Sequence, residues 1–219
     1  GKITFYVTAM NVGQGLRLNI KEDSRFLTID SLTKMSGPGK IKVGLSSVNS
    51  GFDYYINEKN NLSFNVNYKP IWQKVDILTN TILYKDNTPL NSVSSETVND
   101  LDSDESSFSL FYKRTFSKPV EEFTSEVSYY NFSSNEGSSF ENATHPYNSD
   151  QVLSRYSRIE DNINKRNYLS TKLDYVYPLG MHAKIETGYQ FYYQKMDYDF
   201  NIDNHNPFSD NKTVILSQF

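Results

Sequence analysis

The stretch Leu62-Ser63-Phe64-Asn65-Val66-Asn67-Tyr68-Lys69-Pro70-Ile71-Trp72 decides the fold class. Leu62, Phe64, Val66, Tyr68, Pro70 and Trp72 alternate with Ser63, Asn65, Asn67, Lys69 and Ile71, so one face is apolar and the other mostly polar. A period of two residues belongs to a strand, not a helix. The pattern returns in Ala183, Ile185, Thr187, Tyr189, Phe191 and Tyr193 against Lys184, Glu186, Gly188, Gln190, Tyr192 and Gln194. Shorter versions run through Phe52, Tyr54 and Ile56, through Phe108, Leu110 and Tyr112, through Phe123, Ser125, Val127 and Tyr129, and through Leu169, Thr171, Leu173 and Tyr175. With partial strands at Ile3, Phe5 and Val7 and from Thr213 to Phe219, the total is about eight, and the chain is all-β.

The connections fall into two kinds. Residues 57–61, 117–121 and 178–181 are short hairpin turns. Residues 10–44, 74–105, 134–166 and 196–211, rich in Asn, Asp, Ser and Gly, are expected to be long loops. Asp53, Lys113 and Asp174 precede the three short turns at spacings of 60 and 61 residues, so a unit of hairpin plus long loop repeats.

One short-turn end and one long-loop end do not suit a soluble β-sandwich, whose turns recur at similar lengths on both sides. They suit an antiparallel up-and-down transmembrane β-barrel, in which strands of about 9–11 residues cross the bilayer, short turns face the periplasm and long loops face outside. Polar residues alternating toward a watery lumen reconcile a mean hydropathy of -0.62 with 15% aromatic residues, a content that also argues against disorder. No apolar run exceeds three residues, which excludes a membrane-spanning helix.

Girdle aromatics are expected at Tyr54, Phe116, Phe123, Tyr175 and Tyr177 beside the short turns, and at Tyr68, Trp72, Tyr129 and Tyr193 at the opposite ends. Arg114 falls on an otherwise apolar face, where it costs about 2–4 kcal/mol at the bilayer midplane but about 0–1 near an interface. Its place just before a short turn predicts the interface.

Gly51-Phe52-Asp53-Tyr54-Tyr55-Ile56-Asn57-Glu58-Lys59-Asn60-Asn61-Leu62-Ser63-Phe64, Phe111-Tyr112-Lys113-Arg114-Thr115-Phe116 and Leu173-Asp174-Tyr175-Val176-Tyr177-Pro178-Leu179 together resemble the barrel of TonB-dependent outer-membrane receptors, in particular the outer membrane β-barrel family common in Bacteroidetes. The resemblance runs from about Lys40 to Phe219. It implies the outer membrane of a Gram-negative bacterium, nutrient uptake, a plug domain, a periplasmic energy-coupling protein and a barrel of more strands than are present. Residues 1–219 are accordingly read as a portion of one barrel domain without its plug. The rival reading is a small eight-stranded outer-membrane or secreted module for binding or adhesion, with Phe219 as a terminal aromatic.

Candidate chemistry is sparse. Asp100, Asp102 and Asp104, followed by Glu105, imitate the start of a calcium loop, but Glu105 stands where the turn Gly belongs and Phe111 where the bidentate ligand belongs, leaving an acidic loop that could bridge to lipopolysaccharide. His145, His182 and His205 have no shared metal spacing. Glu126 and Glu186 resemble a catalytic carboxylate pair only by residue type. No Ser-His-Asp order, phosphate loop or HExxH motif occurs, the four Asn-X-Ser/Thr sequons arise from composition, and the absence of Cys removes thiolate chemistry. No enzyme, cofactor, metal or catalytic residue is expected. A net charge of -4 with no Lys/Arg cluster on any segment gives no reason to expect nucleic acid. The expected partners are outer-membrane lipid and lipopolysaccharide, the plug and coupling protein of a full receptor, and a small-molecule or glycan ligand whose site the sequence does not assign.

Overall fold

A computed structural model describes residues 1–26, 31–180, 183–205 and 213–217. They form one antiparallel sheet whose strands lie in chain order: β1 (Lys2–Phe26), β2 (Ser31–Asn57), β3 (Asn60–Lys85), β4 (Thr88–Thr115), β5 (Glu122–Pro146), β6 (Ser154–Pro178), β7 (Lys184–His205) and β8 (Thr213–Ser217). The up-and-down order is the one expected. Among the described residues β1 pairs only with β2 and β8 only with β7, so the sheet stays open.

The short turns lie where the sequence puts them, at Glu58-Lys59, between β4 and β5, and after Pro178. The long loops do not. Most of 10–44, 74–105, 134–166 and 196–205 is strand, and β1 to β7 run to 22–28 residues each. Within the long loop expected over 74–105, β3 and β4 are joined by a tight turn, with Asp86 and Asn87 both at positive φ (49° and 61°), as a two-residue hairpin requires. Asn and Asp tolerate that region better than other side chains.

Register turns the alternating pattern into continuous rows. Phe5, Phe52, Phe64, Leu110, Val127, Thr171 and Phe191 are successive cross-strand partners on one face. The row below contains Ile3, Tyr54, Leu62, Tyr112, Ser125, Leu173 and Tyr189, and the row above contains Val7, Ser50, Val66, Phe108, Tyr129, Leu169 and Tyr193. Ring pairs tie neighbouring strands together, with Phe5–Phe52 at 6.1 Å, Phe52–Phe64 at 5.7 Å and Phe108–Tyr129 at 5.3 Å. On the opposite face the corresponding row is Tyr6, Gly51, Asn65, Ser109, Ser128, Ser170 and Tyr192.

The apolar face is the outer one. Phe108 is 46% exposed and Leu110 43%, whereas the neighbouring Ser107 and Ser109 are half-buried on the concave side. No hydrophobic side chain among the described residues is buried, and the accessible surface is 15156 Å². A compact monomer of 25.3 kDa would show about 10,300 Å². A sheet with its rings outside and no core beneath them fits lipid, which takes the place of a packed interior. Along β3 the apolar positions from Leu62 to Trp72 span about 33 Å of strand. A tilt of about 40° reduces that to about 25 Å, the height of an outer-membrane apolar band.

Leu110→Arg, in the middle of the band, should therefore destabilise the folded protein in vesicles by about 2–4 kcal/mol. Ser109→Arg, one residue away on the concave face, should change it by less than about 0.5 kcal/mol. Denaturant titration in lipid vesicles measures both, and equal losses would refute the assignment of faces.

Candidate ligand-binding site in the extracellular collar

Above the band, the polarity of β1, β2, β3, β5 and β7 reverses. On β1 the apolar residues move from Ile3, Phe5, Val7 and Ala9 to Val12, Leu16, Leu18 and Ile20, that is, from odd to even positions. On β2 they move from Tyr54, Phe52 and Val48 to Leu45, Val43 and Ile41, and on β3 from Leu62, Phe64, Val66 and Tyr68 to Ile71, Val75 and Ile77. Strands β5 and β7 change phase at Tyr129/Tyr130 and after Tyr193, the latter leading to Met196, Tyr198, Phe200 and Ile202. The outer face above this line carries charge instead, with surface ion pairs Lys74–Asp100 at 3.3 Å, Arg155–Glu141 at 3.4 Å and Lys195–Asp197 at 3.0 Å.

Tyrosine hydroxyls mark both edges of the band. At the upper edge Tyr68 donates to Asp104 at 2.7 Å and Tyr129 to Asn167 at 2.7 Å, each reaching away from the short turns. At the lower edge Tyr112 donates to Asn60 at 2.6 Å and Tyr175 to Glu121 at 2.7 Å, each reaching toward them. Rings in the apolar zone with hydroxyls directed outward at both borders are the arrangement of interfacial aromatic belts. Arg114 lies in the lowest row, with Asn60, Phe123 and Tyr175 as row-mates, and its guanidinium sits over the Phe116 ring at 4.8 Å. It occupies the inexpensive position expected of it.

The strands rise about 13 residues beyond Trp72 on β3, roughly 43 Å along the strand. They form a collar whose inner surface is apolar in β1–β3. Leu16 meets Ile41 and Ile41 meets Val75 in register, while Val12 meets Leu45 and Leu45 meets Ile71. On β5–β7, at the foot of the collar, Tyr130 and Tyr168 approach to 5.4 Å and Tyr168 stacks on Tyr192 at 6.0 Å and 22°. This tyrosine shelf lines a concavity of about 260 Å³ together with Asn65, Ser107, Ser128 and Ser170. Flat rings bordered by hydroxyl and amide groups are suited to a ligand with both an apolar face and polar edges. A larger concavity, about 1180 Å³, opens at the short-turn end, where Lys118 Nζ donates to the Tyr177 hydroxyl at 2.7 Å.

The candidate residues from the sequence separate. Asp100, Asp102 and Asp104 lie in strand β4, not in a loop, at alternate positions on its outer face about 6.6 Å apart, too far to converge on one cation. Asp100 pairs with Lys74 and Asp104 accepts from Tyr68, while Glu105 points inward to Lys69 at 3.8 Å. His145 ends β5 opposite Ser92, His205 ends β7 opposite Ser157, and His182 lies outside the described residues. Among the described residues no His, Asp and Glu cluster could hold a metal. Glu126 faces Lys172 across the strand pair and Glu186 pairs with Lys184 at 2.5 Å, so the two carboxylates are not brought together. Of the repeat markers, Lys113 and Asp174 fall in one row through Thr124, with Asp53 in the adjacent row, all on the inner wall.

Residues 114–218 match the outer membrane protein beta-barrel family. That span contains the second and third short turns and strands β5 to β8, and the match indicates the outer membrane as the location of the sheet. No curated protein matches the chain.

The chain has a single tryptophan, and it sits at the upper border of the band. In vesicles, lipids brominated close to the headgroup should quench Trp72 fluorescence more strongly than lipids brominated near the chain ends. The reverse order would move the bilayer away from the band drawn by the register.

Proposed function

We propose that the chain is a portion of the wall of a TonB-dependent receptor-type transporter for nutrient uptake. In this reading the collar collects a small-molecule or glycan ligand above the membrane, the polar lumen passes it, and a plug domain energised by a periplasmic partner gates the passage. The observation that carries the reading is the polarity reversal. A passive water-filled pore has reason to stay polar inside along its whole length, whereas Leu16, Ile41 and Val75, with Val12, Leu45 and Ile71 in the row below, make the inner collar apolar on β1–β3 above the bilayer, where a captured ligand would need surface to bind.

The alternative, a small eight-stranded binding or adhesion barrel, requires β1 to meet β8. Among the described residues those edges stay unpaired, which favours a wall continued by further strands.

The experiment is made on the parent protein. Sequence on the amino-terminal side of Gly1 should encode a plug domain, and the parent protein inserted in planar bilayers should stay closed until the plug is excised or unfolded. An open pore without that treatment, or a signal peptide directly preceding Gly1, would overturn the proposal.

A further inference from the structure

The outer face just above the apolar band carries a cluster of cations that is dispersed in the sequence. Register places Lys42 opposite Gly15 and beside Lys74, and Arg17 directly opposite Lys40 in the next row up. Lys74 is matched by Asp100 at 3.3 Å. Arg17, Lys40 and Lys42 are exposed and make no ion pair among the described residues, although Asp76 is the register partner of Lys40. Like charges directly opposite one another across a strand pair repel. Three cations held together in this way lower their mutual repulsion by sharing an anion.

Their height selects the anion. The row of Gly13, Gly44 and Trp72 closes the apolar band, Lys42 stands one row above it, and Arg17 and Lys40 stand two rows above. A row advances about 6.6 Å along the strand and about 5 Å along the membrane normal, so the three charges sit about 5–10 Å beyond the Trp72 ring. That is the depth of the headgroups, since the polar zones add about 5–7 Å on each side of the hydrocarbon core.

The surface beneath the charges is shaped. A Cβ at Gly13 would meet nothing within 4 Å, and one at Gly15 would meet only the Ile41 carbonyl at 4.0 Å, so the outer face of β1 is bare there on the side of β2. The Trp72 ring lies over Gly44 and closes one side of this notch. Below it Val7, Ala9 and Val48 continue into the apolar band. Asp76 ends the Arg17–Lys40 row on the β3 side, and with Lys40 and Glu96 it lines a groove of about 320 Å³, so the cations are bounded by carboxylates toward β4 and open toward β1.

The geometry points to a binding site for the phosphate of an outer-leaflet saccharolipid, lipopolysaccharide, with Arg17, Lys40 and Lys42 on the phosphate, the sugar in the Gly13–Gly15 notch against Trp72, and an acyl chain along Val7, Ala9 and Val48. It depends on the outer-membrane location and stands whether or not the barrel carries a nutrient.

The test uses the full parent protein in non-ionic detergent, titrated with lipopolysaccharide, with enzymatically dephosphorylated lipopolysaccharide, and with inorganic phosphate. The R17Q/K40Q/K42Q variant should bind lipopolysaccharide about a hundredfold more weakly than the parent, since each cation near an anionic surface contributes about a factor of five. Lys184→Gln, at the short-turn end, should bind as the parent does, and R17K/K40R/K42R should restore binding, which separates loss of charge from failure to assemble. Dephosphorylated lipid should bind as weakly to the parent as intact lipid does to the triple Gln variant. Unchanged binding by that variant, or equal binding of the dephosphorylated lipid, would overturn the assignment. Competition by inorganic phosphate at matched concentration would reduce the cluster to a free-anion site and overturn it as a lipid site.

Discussion

A backbone inside hydrocarbon finds no donors or acceptors except its own, and the rest of this structure depends on that constraint. Each of β2 to β6 satisfies its amides against two neighbours over more than twenty residues, so the sheet can stand in lipid with no core beneath it. Once the backbone is satisfied laterally, side chains need only suit the medium that each face meets. The sheet therefore records its surroundings directly. Apolar rows face outward where the outside is lipid, and charged rows face outward where the outside is water.

The reversal at Ala9/Val12, Leu45/Val48 and Tyr68/Ile71 also explains which parts were legible in the sequence. Period-2 windows gave the membrane-level strands, the short turns, the girdles and the position of Arg114, because each of these is local. The collar was misread as long loops for two physical reasons. Alternation interrupted by a phase change looks like the end of a strand when it is counted from a fixed starting residue, as at Ile71 beside Trp72. The outer face of the collar is also built from Asn, Asp, Ser and Lys, residues that usually mark turns, yet opposite-charge pairs such as Lys74–Asp100 keep them compatible with a sheet in water.

The two candidate sites differ in the same respect. The tyrosine shelf uses Tyr130, Tyr168 and Tyr192, whose spacing in the chain shows nothing until β5, β6 and β7 are set in register. The cationic cluster draws on positions 17, 40 and 42 of two strands, so a search along the chain for a basic run misses it. Cross-strand partners are fixed by turn length and by which face must meet lipid. Neither quantity can be read from the residues of a site themselves.

Glycines have a particular part in this sheet. At Gly44 the Trp72 ring covers the bare backbone on the outer face, and at Gly51 the Tyr6 ring does so on the inner one. An aromatic lying over a cross-strand glycine recovers packing that the glycine forfeits. Both glycines also leave their strands freer to bend, and they lie on either side of the line where polarity reverses. On β1, by contrast, Gly13 and Gly15 are bare toward β2, where no ring returns to cover them. A site on the outer wall arises there beside Arg17, Lys40 and Lys42, which make no ion pair among the described residues.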